Sequence, residues 1–142
     1  MQGVSAQAAP LGDARSDRVR VLIVDDSAVV RGLTKRLLEA NPGIHVVGTA
    51  GDGEQAVKSV QDNEIDVVVL DIEMPKMDGL TALPLLLKAR PNVKVIMSST
   101  LTTRNADTSL KALSMGATDY IAKPTSSKDI HGGDDFRRDL TE

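Results

Sequence analysis

The sequence predicts an α/β fold, a parallel sheet of five strands with helices on both faces. Three observations carry this. Short β-branched runs alternate with longer amphipathic stretches, the connections between them are a few residues long, and charged side chains stand just past the ends of three runs, where open parallel sheets gather functional groups. With 142 residues and 41% apolar content, the chain fills one core but not two.

Residues 1–18 are small and polar without periodicity, and read as a disordered leader outside the fold. Val19 to Val24 is a first strand ending in two acids, and Ser27 is placed to cap a helix carrying Val30, Leu33, Leu37 and Leu38 on one face. Pro42 and Gly43 end that helix. Ile44 to Thr49 is the second strand, Gly51-Asp52-Gly53 a turn, and Glu54 to Gln61 a helix with Ala56, Val57 and Val60 inward. Ile65 to Leu70 is an unbroken aliphatic run, which places it centrally, buried on both faces. Gly79 supplies a turn conformation after Asp78, Leu80 to Ala89 forms the next helix with Pro84 tolerated in or near its first turn, and Pro91 closes it. Val93 to Ser98 is the fourth strand, Asn105 to Met115 a helix capped by Gly116-Ala117, and Thr118 to Ala122 the fifth strand. Residues 126–142 read as an extended linker and a short or truncated fifth helix, in which Phe136 and Leu140 share a face.

Composition excludes several functions. A net charge of −3 with scattered Lys and Arg gives no basic stripe for nucleic acid. The absence of cysteine excludes disulfides and thiolate metal sites. No apolar stretch reaches the roughly 20 residues that span a bilayer, and the N-terminal segment has no hydrophobic signal core, so the expected setting is cytoplasmic.

Asp25 and Asp26 follow the first strand, Asp71 the third, and Lys123 the fifth. Three carboxylates and one ammonium converging at strand ends suit a divalent metal and a phosphoryl group, with one carboxylate as nucleophile. Transfer of phosphate to a carboxylate requires local cancellation of like-charge repulsion, which a magnesium ion supplies. Taken singly, the acid pair also fits a strand-end turn or helix cap, Asp71 a solvated loop acid, and Lys123 a surface lysine; their combination favours the site.

From Arg18 to Thr125 the chain resembles the receiver domain of two-component response regulators. The matching residues are Asp25-Asp26, Asp71, the loop Met74-Pro75-Lys76-Met77-Asp78-Gly79, and Lys123-Pro124. The resemblance implies a flavodoxin-like sheet of order 2-1-3-4-5 over a receiver domain of residues 19–125. It implies Mg²⁺ held directly by Asp26, Asp71 and the backbone carbonyl of Glu73, with Asp25 holding coordinated water. It also implies Asp71 as phosphoacceptor, Lys123 and the Ser99 hydroxyl on the phosphoryl oxygens, Tyr120 as a rotating reporter of the switch, and a cis bond before Pro124. Ser98 and Thr100 are chemically equivalent neighbours of Ser99, which is preferred on register, and Tyr120 has simple packing as its alternative.

Val95 to Thr102, followed by Ser109 to Pro124, is similar to the regulatory half of chemotaxis protein-glutamate methylesterases. The partners this implies are a sensor histidine kinase and an attached effector domain or chemoreceptor-associated proteins. The chain itself has no Gly-x-Ser-x-Gly element or Ser, His, Asp constellation for ester hydrolysis, so only Mg-assisted self-phosphorylation and dephosphorylation is expected of it. A stand-alone receiver acting as a binding module or phosphate sink is the alternative. A haloacid-dehalogenase-type phosphatase expects an Asp-x-Asp nucleophile motif that Asp25-Asp26-Ser27 does not provide. His45 and His131 lack partners at metal or triad spacing.

Overall fold

The structure, a computed structural model, describes residues 18–74, 77–100 and 102–123. The elements run β1 (Val19–Val24), α1 (Ala28–Glu39), β2 (Ile44–Ala50), α2 (Gly53–Asp62), β3 (Val67–Asp71), α3 (Gly79–Ala89), β4 (Lys94–Ser99), α4 (Thr103–Ser114) and β5 (Asp119–Ala122). The five strands form one sheet in the order β2-β1-β3-β4-β5, and every pairing is parallel. The expectations for the leader, for residues 126–142 and for the bond before Pro124 fall outside the described residues.

Strand alternation divides the core. Leu22, Val24, Val68, Leu70, Val95 and Met97 project to one face, against Ala56 and Val60 of α2, Ala82, Leu83 and Leu86 of α3, and Ala112 of α4. Val21, Ile23, Val67, Val69, Ile96 and Ile121 project to the other, where Leu38 of α1 covers them. Every residue of β3 is buried, as its aliphatic run requires. Each such buried Val or Leu contributes about 1.5–3 kcal/mol relative to exposure. A register shift between Val21 and Leu22 leaves Val47 of β2 without a partner on β1, and its side chain is exposed.

Side-chain caps set where the helices begin. Ser27, Asp52, Asp78 and Thr102 each accept a hydrogen bond from the backbone N–H three residues on, at 2.8–3.2 Å. Asp52 therefore starts α2, and the predicted turn shrinks to two residues. At the other end of α4, Gly116 has φ +114°. Its N–H reaches the Leu113 carbonyl, and the Ala117 N–H reaches that of Ala112 at 3.0 Å, the double closure of a Schellman motif.

Two local expectations change. Pro84 lies inside α3 and not in its first turn, because Asp78 starts the helix at Gly79. Burial of Ala82, Leu83 and Leu86 holds the helix together across the lost hydrogen bond. Gly79, expected to supply a turn conformation, is needed for space. A Cβ there would collide with the Asp71 carbonyl oxygen and stand 2.9 Å from Ile72 Cα, while its N–H donates to the Ile72 carbonyl at 2.8 Å.

Candidate functional site

At the carboxyl edge of the sheet, β1, β3 and β5 deliver charged side chains to one place. Asp71 is the final residue of β3, and its position on the central strand follows from the aliphatic run before it. Asp25 follows β1, whose ladder continues through the Asp25 N–H to the Ala50 carbonyl at 3.0 Å. Lys123 follows β5, fixed by its N–H on the Ser99 carbonyl at 2.9 Å. These backbone bonds place the charged groups before any side-chain contact forms.

Lys123 Nζ lies 3.1 Å from Asp71 Oδ1 and 3.2 Å from Asp25 Oδ2, bridging the two carboxylates. Asp71 Oδ1 also accepts the Glu73 N–H at 3.3 Å, whereas Asp71 Oδ2 is buried without a hydrogen-bond partner. Asp25 accepts the Ser27 N–H at 2.9 Å through its other oxygen, so it serves both as a strand-end turn acid and as a member of the cluster. Carboxylate oxygens of Asp25, Asp26 and Asp71 lie within 4.8 Å of one another, with Asp26 exposed and the other two buried. The Glu73 side chain is exposed and stands apart from this group; its N–H, and not its carboxylate, meets Asp71.

Electrostatics follow from that geometry. Burial, and then the Asp25 charge, push the Asp71 carboxyl up to about 7, against the opposing pull of Lys123. Burial works against the Lys123 ammonium, but the hydrogen bond and charge of Asp71, with Asp25 behind, more than offset it and raise its pKa. A buried carboxylate oxygen with no donor beside two more acids is a set of hard oxygen ligands facing an excess of negative charge. That donor set fits a magnesium ion.

The other expected residues stand close by. Ser98 is the register partner of Asp71 and shares its face; Ser99 pairs with Ala122 and projects to the opposite face, with Met97 and Tyr120. Both serines are buried, and among the described residues neither hydroxyl bonds Asp71. Tyr120 is 42% exposed. His45 lies 3.8 Å from Glu39, away from the site.

Sequence reasoning missed two residues. Arg31 Nη1 donates to the Asp25 carbonyl at 2.7 Å, and Asn105 Nδ2 reaches the Thr100 carbonyl at 3.2 Å and Thr100 Oγ1 at 3.1 Å. Arg31 stands four residues after the Ser27 cap, a spacing that could have exposed it. The Asn105 tie depends on the path of the loop and left no signal. A cavity of about 840 Å³ opens at the opposite, amino edge of the sheet, lined in part by Arg20, Glu64, Asp66 and Arg90. There Arg20 pairs with Glu64 and Asp66, so the charges are already matched.

The response regulator receiver domain family model matches residues 21–132, and the chain belongs to that family. It is thereby a receiver domain of two-component signalling. Within the family it is similar to the receiver portion of chemotaxis methylesterases. It is 61% identical over 124 residues to the protein-glutamate methylesterase/protein-glutamine glutaminase 1 of Rhodospirillum rubrum, covering 87% of this chain and 32% of that protein. The chain thus spans about a third of the length of such a relative. The response regulator domain of Thermotoga maritima CheB is 38% identical with a TM-score of 0.79, over 87% of this chain and 94% of that one. A chain from the complex of the CheA3 P1 domain with CheY6 from R. sphaeroides is 30% identical with a TM-score of 0.72, over 88% and 95%.

Proposed function

We propose that the chain is a cytoplasmic phosphorylation switch in which Asp71 accepts a phosphoryl group from a sensor histidine kinase. One observation carries the reading: Asp71 is buried at the end of the central strand with Oδ2 unpartnered and its carboxyl raised to about 7. A carboxylate so placed gains from any group that neutralises it. Asp26, Asp71 and the Glu73 carbonyl would hold Mg²⁺ directly, with Asp25 acting through water. Bound there, Mg²⁺ would offset the negative charge of the carboxylates and of the incoming phosphoryl oxygens.

The transfer is a displacement at phosphorus. An Asp71 carboxylate oxygen forms the new P–O bond as the P–N bond of the phosphohistidine breaks, and the departing imidazole retains the bonding pair and takes up a proton. Lys123, already on Asp71 Oδ1, follows the charge onto a phosphoryl oxygen. The hydroxyl of Ser98, which pairs with Asp71 and shares its face, and not that of the expected Ser99 on the opposite face, donates to another, and Tyr120 turns inward from its exposed position.

The similarity to methylesterases supports the further reading that the switched face regulates an attached protein-glutamate methylesterase domain. In a protein that carries both parts, phosphorylation relieves inhibition of the esterase. Intact mass after treatment with acetyl phosphate and Mg²⁺ tests the first step: one phosphoryl adduct on wild type and none on Asp71→Asn. Wild type without an adduct at short times refutes the phosphoacceptor role. Esterase activity of a two-domain protein that is equal with and without the donor refutes the gating role alone.

A further inference from the structure

Arg31 reaches the acid pair from α1 and has no part in the chemistry assigned to the site. It lies one turn after the Ser27 cap, and its Nη1 donates to the Asp25 carbonyl at 2.7 Å. The half-buried side chain also lies against the turn after β2, where a Cβ on Gly51 would stand 3.5 Å from Nη1. Both ladders of β1 end at Val24. The Asp25 carbonyl stands beyond them, and Arg31 supplies the donor that a neighbouring strand would otherwise provide.

The remaining polar groups of Asp25 are held as well. Its N–H meets the Ala50 carbonyl, Oδ1 accepts the Ser27 N–H, and Oδ2 faces Lys123. Asp26 is exposed, and its carboxylate is aimed by its backbone. The carbonyl of Asp25 and the N–H of Asp26 belong to one rigid peptide plane, so the Arg31 bond fixes the main chain from which both acids project.

We propose that Arg31 is a positioning residue for the metal site: its bond to the Asp25 carbonyl holds the Asp25–Asp26 peptide in the orientation that turns both carboxylates toward Asp71. The proposal rests on Mg²⁺ being bound by Asp25, Asp26 and Asp71. Without the bond this peptide samples several orientations, and the affinity for Mg²⁺ falls with the fraction that stays competent. A purely electrostatic role has the opposite sign. A cation beside the site repels a second cation, so removal of Arg31 would then tighten Mg²⁺ binding.

Isothermal titration of Mg²⁺ into the whole chain decides between them, with urea unfolding to show that each variant is folded. Arg31→Met keeps an aliphatic stem and loses the donors. It should bind Mg²⁺ about 10-fold more weakly than wild type, the shift that a hydrogen bond from a charged donor supplies. Arg31→Lys retains a donor for the single acceptor and should stay within about 3-fold of wild type. A residue that serves packing alone lowers the urea midpoint and leaves the Mg²⁺ affinity of the folded protein unchanged. Arg31→Met that binds as tightly as a wild type that does bind, or more tightly, overturns the positioning role and leaves the metal site intact. A loss shared in full by Arg31→Lys also overturns it, since the carbonyl bond would not be the cause. Wild type that binds Mg²⁺ no better than Asp71→Asn overturns both. Should Arg31→Met lose its cooperative fold, Arg31→Gln is titrated in its place against the same expectation.

Discussion

Replacing Asp71 with Asn should stabilise the metal-free protein at alkaline pH, and the size of the effect follows from the burial of this side chain. Asp71 is 1% exposed, and its carboxyl is raised from 3.8 to about 7. Between those values the folded chain keeps a proton that the unfolded chain has released. The stability contributed by the neutral carboxyl is complete below about pH 3.8 and is lost as pH rises through about 7. Roughly three pKa units at about 1.4 kcal/mol each give a loss of about 4 kcal/mol by pH 8. Asparagine remains neutral at every pH and retains an oxygen for Lys123 and the Glu73 N–H. Urea unfolding in EDTA at pH 4, 6 and 8 reads the difference between the proteins. Groups common to both drop out of it, including Asp66, which the Arg20 hydrogen bond holds below the usual carboxylate range. The advantage of Asp71→Asn should be near zero at pH 4 and grow to about 4 kcal/mol at pH 8. A difference that does not vary with pH, or a less stable variant at pH 8, refutes the claim that Asp71 is ionised against its surroundings.

Lys123→Met removes the cation between Asp25 and Asp71, and should cost about 3–5 kcal/mol at pH 8 with a smaller loss at pH 5, where Asp71 is protonated. Urea midpoints at the two pH values check it. Gly79→Ala drives a methyl group into the backbone of Asp71 and Ile72 and should lose about 3 kcal/mol. It should also slow phosphoryl uptake from acetyl phosphate, seen as a delayed adduct by mass. Pro84→Ala restores an N–H at an exposed position within α3 and should gain about 2 kcal/mol, after allowance for the freer unfolded chain; thermal unfolding reads the gain.

Legibility from sequence followed the range of the physics involved. Asp71 was readable because a run buried on both faces has to be central, and a charged residue at its end has to meet the strand-end site. Ser27 was readable as a cap because an N-cap acts over three positions. Pro84 was misplaced because its distance from the helix start depends on which residue caps, and Asp78 captured the start one position earlier than the apolar pattern indicated. Gly79 was assigned to a turn because close approach of two backbone segments leaves no local mark, whereas Gly116, with φ +114°, follows directly from the helix stop. The sheet order came from the resemblance and the register from the coordinates, since neither is encoded in the period of a strand. Asn105 was invisible for the same reason. Its role depends on the path of a loop that returns a side chain over the residue five positions earlier.

Affinity and shape change are set by different groups in this site. Relief of the buried Asp71 carboxylate is available to any cation or phosphoryl mimic, whichever way Ser98 points, and an interaction common to both forms shifts no equilibrium between them. The differential contact is a bond from the Ser98 hydroxyl to the phosphoryl group, made in one form only. Mg²⁺ alone satisfies Asp71 and offers the Ser98 hydroxyl no new acceptor. At 100 times its dissociation constant it should raise unfolding stability by about 2.7 kcal/mol, yet leave the hydrogen exchange of the first turn of α4 unchanged. Beryllofluoride, a tetrahedral mimic of a phosphoryl group on a carboxylate, added to the same sample should accelerate exchange there, because Ser98 is drawn toward Asp71 and the end of β4 that leads into α4 moves with it. Native-state exchange, measured with Mg²⁺ and then with both ligands, separates the two effects. Full loosening of α4 by Mg²⁺ alone would falsify the division, since the shape change would then follow from neutralising Asp71 and need no hydrogen bond from Ser98.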